Sequence, residues 1–180
     1  PYKMEKINGK HIFEINKLDK KKIKKILENI FISLETLHGI ETIQSNKNDI
    51  ENVYINKTLK RLKSVAQIIP NYSTAETFTI NGIKCKNYLH KKNISIFNKI
   101  NNLFYNKYFN PIHGDPTFSN IIIKKNLKPI FIDPRGYFSN EASIFGDSMY
   151  DYSKLYYSLV GNYDSFNRRK FKLYVVFIFS

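Results

Sequence analysis

HGDPTFSNIII, from His113 to Ile123, and PIFIDPRG, from Pro129 to Gly136, are the stretches that decide how this chain is read. Gly114 to Ser119 reads as a tight polar loop after a short extended segment, Pro111 to His113. Asn120 to Ile123 is expected to be a short strand, Lys124 to Lys128 a turn, and Pro129 to Asp133 a second strand, so that the two strands close a hairpin. The antiparallel return is then expected to bring Asp133 back beside Asn120, with Asp115 in the adjoining loop.

Two carboxylates and a carboxamide gathered this way are oxygen ligands suited to a hard cation such as Mg²⁺. That ion is normally held by one or two protein groups together with a substrate's phosphates. Phosphoryl transfer needs such a group, because a metal bridging the phosphates offsets the charge that builds on them. A carboxylate near the acceptor hydroxyl orients it and takes its proton. Asp115 fits that catalytic role, and Asn120 and Asp133 fit the metal roles. The bland readings are a loop Asp115 capping the Thr117 amide and a polar hairpin that only closes backbone hydrogen bonds. His113, two residues before the base, reads as a brace for the loop, and Gly114 as the residue that permits its shape. Arg135 either meets a phosphate or an acidic substrate group with its fork of donors or pairs with Asp147 or Glu141. Ser119 and Thr117 are candidates to line the site.

HGDPTFSN resembles the catalytic-loop motif of the aminoglycoside phosphotransferase and choline kinase group, within the protein-kinase-like fold: His, any residue, Asp, four more, Asn. In this chain those places are His113, Asp115 and Asn120, and the family's following metal-binding Asp looks like Asp133. The resemblance implies ATP and Mg²⁺ as cofactors and a small-molecule hydroxyl as acceptor. GDSMYDYSKLYYSL, at Gly146 to Leu159, looks like the family's acidic and aromatic stretch, in which an Asp braces the catalytic loop; Asp151 is the candidate over Asp147. HGDPTFSN with IDPRG looks most like a bacterial branch associated with surface-polysaccharide genes, some fused to nucleotidyltransferases. The pair motif covers only Pro111 to Gly136, and the helical run upstream resembles the family's C-terminal lobe. The chain departs from the family in two ways. No Gly-rich loop or Lys-bearing strand precedes the helices, and Pro134-Arg135-Gly136 follows the metal-binding Asp. The expectation is therefore an α+β, mainly helical fold: a single domain over residues 1–180, resembling the C-terminal lobe of a protein-kinase-like fold, with a small catalytic hairpin. The nucleotide-gripping lobe, or a fused domain, is expected upstream of Pro1. The alternative is a chain that is inactive by itself, a kinase-like remnant or interaction module.

Outward from the hairpin the pattern is helical. Asp19 is placed to cap a helix running to about Leu37, with Ile23, Ile26, Leu27, Ile30, Phe31, Leu34 and Leu37 on one face and lysines on the other; Gly39 ends it. A second helix is expected from Asn48, with Glu51 completing a capping box and Pro70 as the stop. Its apolar positions, Ile50, Val53, Tyr54, Leu62, Val65, Ile68 and Ile69, drift in phase. Tyr2 to Ile15 reads as extended pieces around Asn8-Gly9, and Asn81-Gly82 as a two-residue hairpin turn. A third helix is expected over Ile94 to Tyr108, burying Ile94, Phe97, Ile100, Leu103, Phe104 and Tyr108. A last one runs from about Met149 to Val160, closed by Gly161, with Tyr150, Tyr152, Tyr156 and Tyr157 read as packing rather than a sugar platform.

Composition sets the bounds. The 180 residues are 42% hydrophobic, with 14 Phe and 13 Tyr, which is globular material. The single Cys85, read as buried, excludes an internal disulfide and a Cys-rich zinc site. His11, His38 and His90 show no ligand spacing. The longest apolar run, Leu173 to Phe179, is well short of the ~20 residues that cross a membrane, and the first residues lack a secretory signal's apolar core; the expected location is the cytoplasm. The net charge of +14 attracts polyanions. However, the excess is mostly Lys scattered along an Asn- and Ile-rich chain, with no helix-turn-helix, zinc-finger or RNP-like signature, so charge-driven nucleic-acid binding stands as a third reading behind the first two. The start at Pro1 and the apolar ending KLYVVFIFS suggest further sequence, upstream above all.

Overall fold

Three short antiparallel arrangements alternate with six helices in the computed structural model of the chain, which describes residues 6–15, 18–69, 72, 74–80, 82–103, 108–170 and 172. The expected contributions of Tyr2, Pro70, Asn81, Phe104 and the terminal run Leu173 to Phe179 lie outside the described residues. Strand β1 (Lys10–His11) leads into a single 3-10 turn, Ile12–Glu14, where the His11 amide donates to Glu14 Oε2 at 3.0 Å. Ahead of it, Gly9 serves a close approach: a Cβ there would sit 2.4 Å from Ile122 Cγ2.

Helix α1 (Lys20–His38) starts where the sequence places it, with Asp19 accepting from the Lys22 amide at 2.7 Å. Its buried stripe is Ile26, Ile30, Leu34 and His38, narrower than the pattern suggests, since Ile23 and Phe31 stay exposed. After β2 (Ile43–Gln44), a helical rod runs as α2 (Lys47–Glu51), a π segment (Asn52–Asn56) and α3 (Lys57–Ala66). Its cap is Asn46, whose side chain accepts from the Asn48 amide at 2.9 Å. Asn48 therefore already lies in the first turn and is not the cap expected from the sequence. The π segment widens the turn and accounts for the drift in apolar phase. Ile50, Val53 and Ile55 are buried, whereas Val65, Ile68 and Ile69 beyond it are exposed.

Strands β3 (Thr77–Ile80) and β4 (Ile83–Lys86) form the expected hairpin, with Ile80 opposite Ile83 and Gly82 at a φ of +78°. It is anchored by Asn87, which is fully buried. The Asn87 carboxamide donates to the carbonyls of Tyr72 and Ala75, and its oxygen accepts from the Leu89 amide at 2.9 Å. Asn87→Ala strands those three groups and is expected to cost about 1–3 kcal/mol in urea denaturation. A loss under about 0.5 kcal/mol, the range of ordinary surface changes, would contradict that role.

Helix α4 (Ile96–Leu103) is shorter than expected. Phe97 is buried, but Ile94 is exposed, and the side chains of Ile100 and Leu103 lie outside the described residues. Tyr108 belongs instead to β5 (Tyr108–Pro111), the middle strand of a sheet. It pairs with β2 on one side and β8 (Phe145–Gly146) on the other, so ladder bonds on both edges override the helical period. Strands β6 (Ile121–Ile123) and β7 (Pro129–Phe131) make the central hairpin, and β1 adds a third strand on its β6 edge. The fold thus carries more strand than the sequence pattern shows, because β1, β2 and β8 are two residues each, too short for any period. Helix α5 (Ser148–Leu159) and α6 (Tyr163–Asn167) complete the order.

Two cores result. Ile26, Ile30 and Leu34 of α1 meet Ile121 and Ile123 of β6 and Leu155 of α5, while Ile50, Val53, Phe109, Ile112 and Phe138 form the other. Full burial of each large apolar side chain contributes roughly 1.5–3 kcal/mol. The segment 113–120 runs from β5 in one core to β6 in the other, so both its ends are fixed. Among the described residues no helix is long and apolar enough to cross a membrane.

Candidate functional site

The loop that opens at His113 is held from beneath by Asp151, a fully buried residue of α5. Asp151 Oδ2 accepts from the His113 amide at 2.9 Å, and Oδ1 accepts from the Gly114 amide at 2.7 Å. His38, at the end of α1, brings Nε2 to 3.0 Å from Asp151 Oδ2, so the brace ties three elements together. Asp147, one turn earlier, is spent differently: it caps α5 through the Met149 amide and accepts from the Tyr54 hydroxyl at 2.8 Å. Burial first, then the Asp147 carboxylate, pushes the Tyr54 phenol far up, so Tyr54 stays a donor.

His113 is buried, with Nε2 3.0 Å from the Ile132 carbonyl and Nδ1 facing the Asp115 amide at 3.3 Å. Both contacts are met by one neutral tautomer that donates from Nε2 and accepts at Nδ1. Burial pushes this imidazole below its ordinary value, outweighing the carboxylates of Asp151, Asp115 and Asp133. Its contribution to stability is therefore complete above the ordinary value near 6.5 and falls away as pH drops below it. Gly114 takes φ +82°, and a Cβ there would lie 2.8 Å from Arg135 Cβ, so the loop closes on the 133–136 segment only with glycine. The Arg135 amide completes that closure on the His113 carbonyl at 2.8 Å.

Asp115 sits at the top of this loop. The Thr117 amide bonds to its backbone oxygen at 2.8 Å, which leaves the carboxylate out of the cap that the bland reading requires. The Asn120 carboxamide nitrogen donates to the Asp115 carbonyl at 2.9 Å and to Oδ2 at 3.3 Å. Lys154 Nζ, from α5, lies 3.0 Å from Oδ1 as an ion pair, yet out of line for a hydrogen bond, so Oδ1 is buried without one. Asn120 closes the 3-10 turn Phe118–Asn120 and does not open the strand, and β7 ends at Phe131. The residue facing Asn120 is accordingly Ile132, whose amide donates to the Asn120 carbonyl at 3.0 Å, and Asp133 falls one residue beyond. Asp133 holds a left-handed φ of +57°, uncommon for a residue with a side chain.

Asp115 and Asp133 line one cavity of about 360 Å³ together with Lys57, Arg61, Pro134, Arg135, Tyr137 and Lys154. Asn120 lies behind Asp115 and not on that wall. Ser119 is turned away altogether: its amide and hydroxyl both donate to Asp164 Oδ1, a buried carboxylate of α6, so it anchors the loop and offers nothing to a ligand in the cavity. Thr117 is buried beneath the loop. Arg135 pairs with neither Asp147 nor Glu141 among the described contacts. Its guanidinium lies 4.1 Å over the Tyr137 ring and donates to the Tyr150 hydroxyl. Tyr152 packs edge-on against His38, but Tyr156 and Tyr157 are exposed, against the packing role read from the sequence. Cys85 is half-buried.

Lys57, Arg61, Lys154 and His38 were not singled out by the sequence. The signal for the first two was the i, i+4 step on one helix face, hidden among many lysines; for Lys154 it was the i+3 step from Asp151. Burial, then the charges of Arg135, Arg61 and Lys154, lowers the Lys57 ammonium to about 8, with Asp115 opposing. Among the described residues no group of three or more His, Cys, Asp or Glu could hold a metal. A cation at Asp115 or Asp133 would therefore complete its shell with ligand oxygens. Comparison with models of known protein families, with curated proteins and with solved structures finds no match to this chain.

Proposed function

We propose that this chain carries the phosphoryl-transfer centre of a Mg²⁺- and ATP-dependent phosphotransferase acting on a hydroxyl of a small molecule such as a sugar or amino alcohol. The observation that supports this most is the convergence of Asp115 and Asp133 on one cavity, with the loop bearing Asp115 braced from a buried carboxylate. Asp115 is the carboxylate on the cavity wall placed to receive an acceptor hydroxyl and take its proton, and that hydroxyl would share Oδ1 with Lys154, 3.0 Å away. The Asn120 amide on Oδ2 and the Lys154 ammonium on Oδ1 hold the carboxylate in one direction. Lys154 and Arg135 stand where negative charge on a transferring group would gather.

Asp133 gives the cavity wall a carboxylate of the kind Mg²⁺ takes, while Asn120, set off that wall, supports Asp115 through its amide nitrogen. When bound, the ion neutralises phosphate charge during transfer. The residue-level resemblance of His113, Asp115, Asn120 and Asp133 to a kinase-like catalytic loop points the same way.

The test uses the complete gene product with γ-labelled ATP and a panel of hydroxyl acceptors. Label is expected in an acceptor when Mg²⁺ is present and to vanish when EDTA removes it. No Mg²⁺-dependent transfer and no Mg²⁺-dependent ATP binding would sink the proposal and favour an inactive remnant.

A further inference from the structure

The cavity beside Asp115 is built for an anion. Lys57 and Arg61 reach it from α3, Arg135 from the loop after β7, and Lys154 from α5: four cations against the two carboxylates Asp115 and Asp133. Among the described residues Lys57, Arg61 and Arg135 have no carboxylate within 4.0 Å; only Lys154 is paired, with Asp115. Lys57 and Arg61 are one helical turn apart, where like charges repel, and Arg135 is held between the Tyr137 and Tyr150 rings. A general excess of lysine does not account for this. The whole chain has four arginines, and two of them stand at this cavity, on separate elements. Arginine's planar fork matches phosphate oxygens two at a time, and ammonium groups beside it add point charge. A volume of about 360 Å³ suits a small molecule rather than a polymer.

We infer that the hydroxyl acceptor activated by Asp115 itself carries a phosphate group, which Lys57 and Arg61 grip, with Arg135 and Lys154 nearer the reacting atoms. This rests on the phosphotransferase reading and specifies its substrate class as phosphorylated small molecules. The placement favours the acceptor over the nucleotide as the source of that phosphate. Lys57 and Arg61 enter from α3, while Asp133, the carboxylate that would hold Mg²⁺ with the nucleotide phosphates, comes from the segment after β7.

The experiment compares the complete gene product with its Lys57→Gln/Arg61→Gln variant. Removal of a repelling pair from a half-exposed helix face leaves the fold intact, and a Lys60→Gln/Lys63→Gln variant of α3, off the cavity, controls for net charge. Calorimetry with a hexose phosphate, the unphosphorylated hexose and inorganic phosphate needs no turnover. Wild type and the control are expected to bind the hexose phosphate and inorganic phosphate but not the free hexose, with at least a 10-fold loss in Lys57→Gln/Arg61→Gln. Where transfer is measurable, the loss falls on the KM of phosphorylated acceptors, while the KM for Mg²⁺-ATP moves less than twofold. Weakened Mg²⁺-ATP with unchanged hexose phosphate would assign the cations to the nucleotide and overturn the inference. So would equal binding of hexose and hexose phosphate, or no anion binding at all, each of which leaves Mg²⁺-dependent transfer to other acceptors standing.

Discussion

Asp151→Ala is expected to destabilise the chain by about 3–5 kcal/mol, the largest loss predicted for any single polar side chain here. The carboxylate is fully buried and receives the amides of His113 and Gly114 and the His38 ring. Truncation removes all three contacts at once and leaves two buried backbone donors with no partner, each costing about 1–3 kcal/mol. The space left is itself unfavourable. Asp151→Asn keeps the volume but turns an NH₂ toward one of the three donors, so an intermediate loss is expected. Denaturant midpoints at constant m-value read both effects. A change under about 1 kcal/mol in Asp151→Ala, typical of an ordinary substitution, would contradict the brace. Since the contacts link α1, the loop and α5, the same variant is expected to loosen the loop before the chain unfolds. Hydrogen exchange at the Gly114 amide is the local readout.

Much of this arrangement was legible in the sequence. Asp19 at the start of α1 and the tight hairpin of β3 and β4 around Gly82 follow from local signals, and local physics decided them. The hairpin was legible because three consecutive isoleucines and the Pro129–Phe131 run admit little else over so few residues. What failed was register. One turn of 3-10 helix at Phe118–Asn120 consumes the residue expected to open β6, and so shifts Asn120 opposite Ile132. Tyr108 was misplaced for a different reason, as a middle strand draws its stability from partners distant in sequence. The site was half legible. Motif spacing marks His113, Asp115, Asn120 and Asp133, but the cations opposite them come from helices whose rotation is set by packing. A π segment just before α3 turns the Lys57 face in a way that no simple period predicts. Ser119 has the right neighbours in sequence and the wrong direction in space, because the buried Asp164 claims both its donors.

Asp115→Asn is expected to reduce phosphoryl transfer by about 10²–10⁴-fold while leaving Mg²⁺-ATP binding largely intact. Asparagine preserves the size of the side chain and a hydrogen-bonding partner for Asn120, so the loop keeps its shape. What disappears is the negative oxygen that accepts a hydroxyl proton and the charge that Lys154 faces at 3.0 Å. Asp133, in the segment after β7, is untouched by the change, so phosphate and metal contacts proposed there would persist. The decisive measurement is single-turnover transfer from γ-labelled ATP by the complete gene product, wild type and Asp115→Asn side by side, with nucleotide affinity taken by calorimetry on both. A rate lowered at least 100-fold with nucleotide affinity within a factor of three agrees with Asp115 as the group that activates the hydroxyl. A wild-type rate in Asp115→Asn would contradict it.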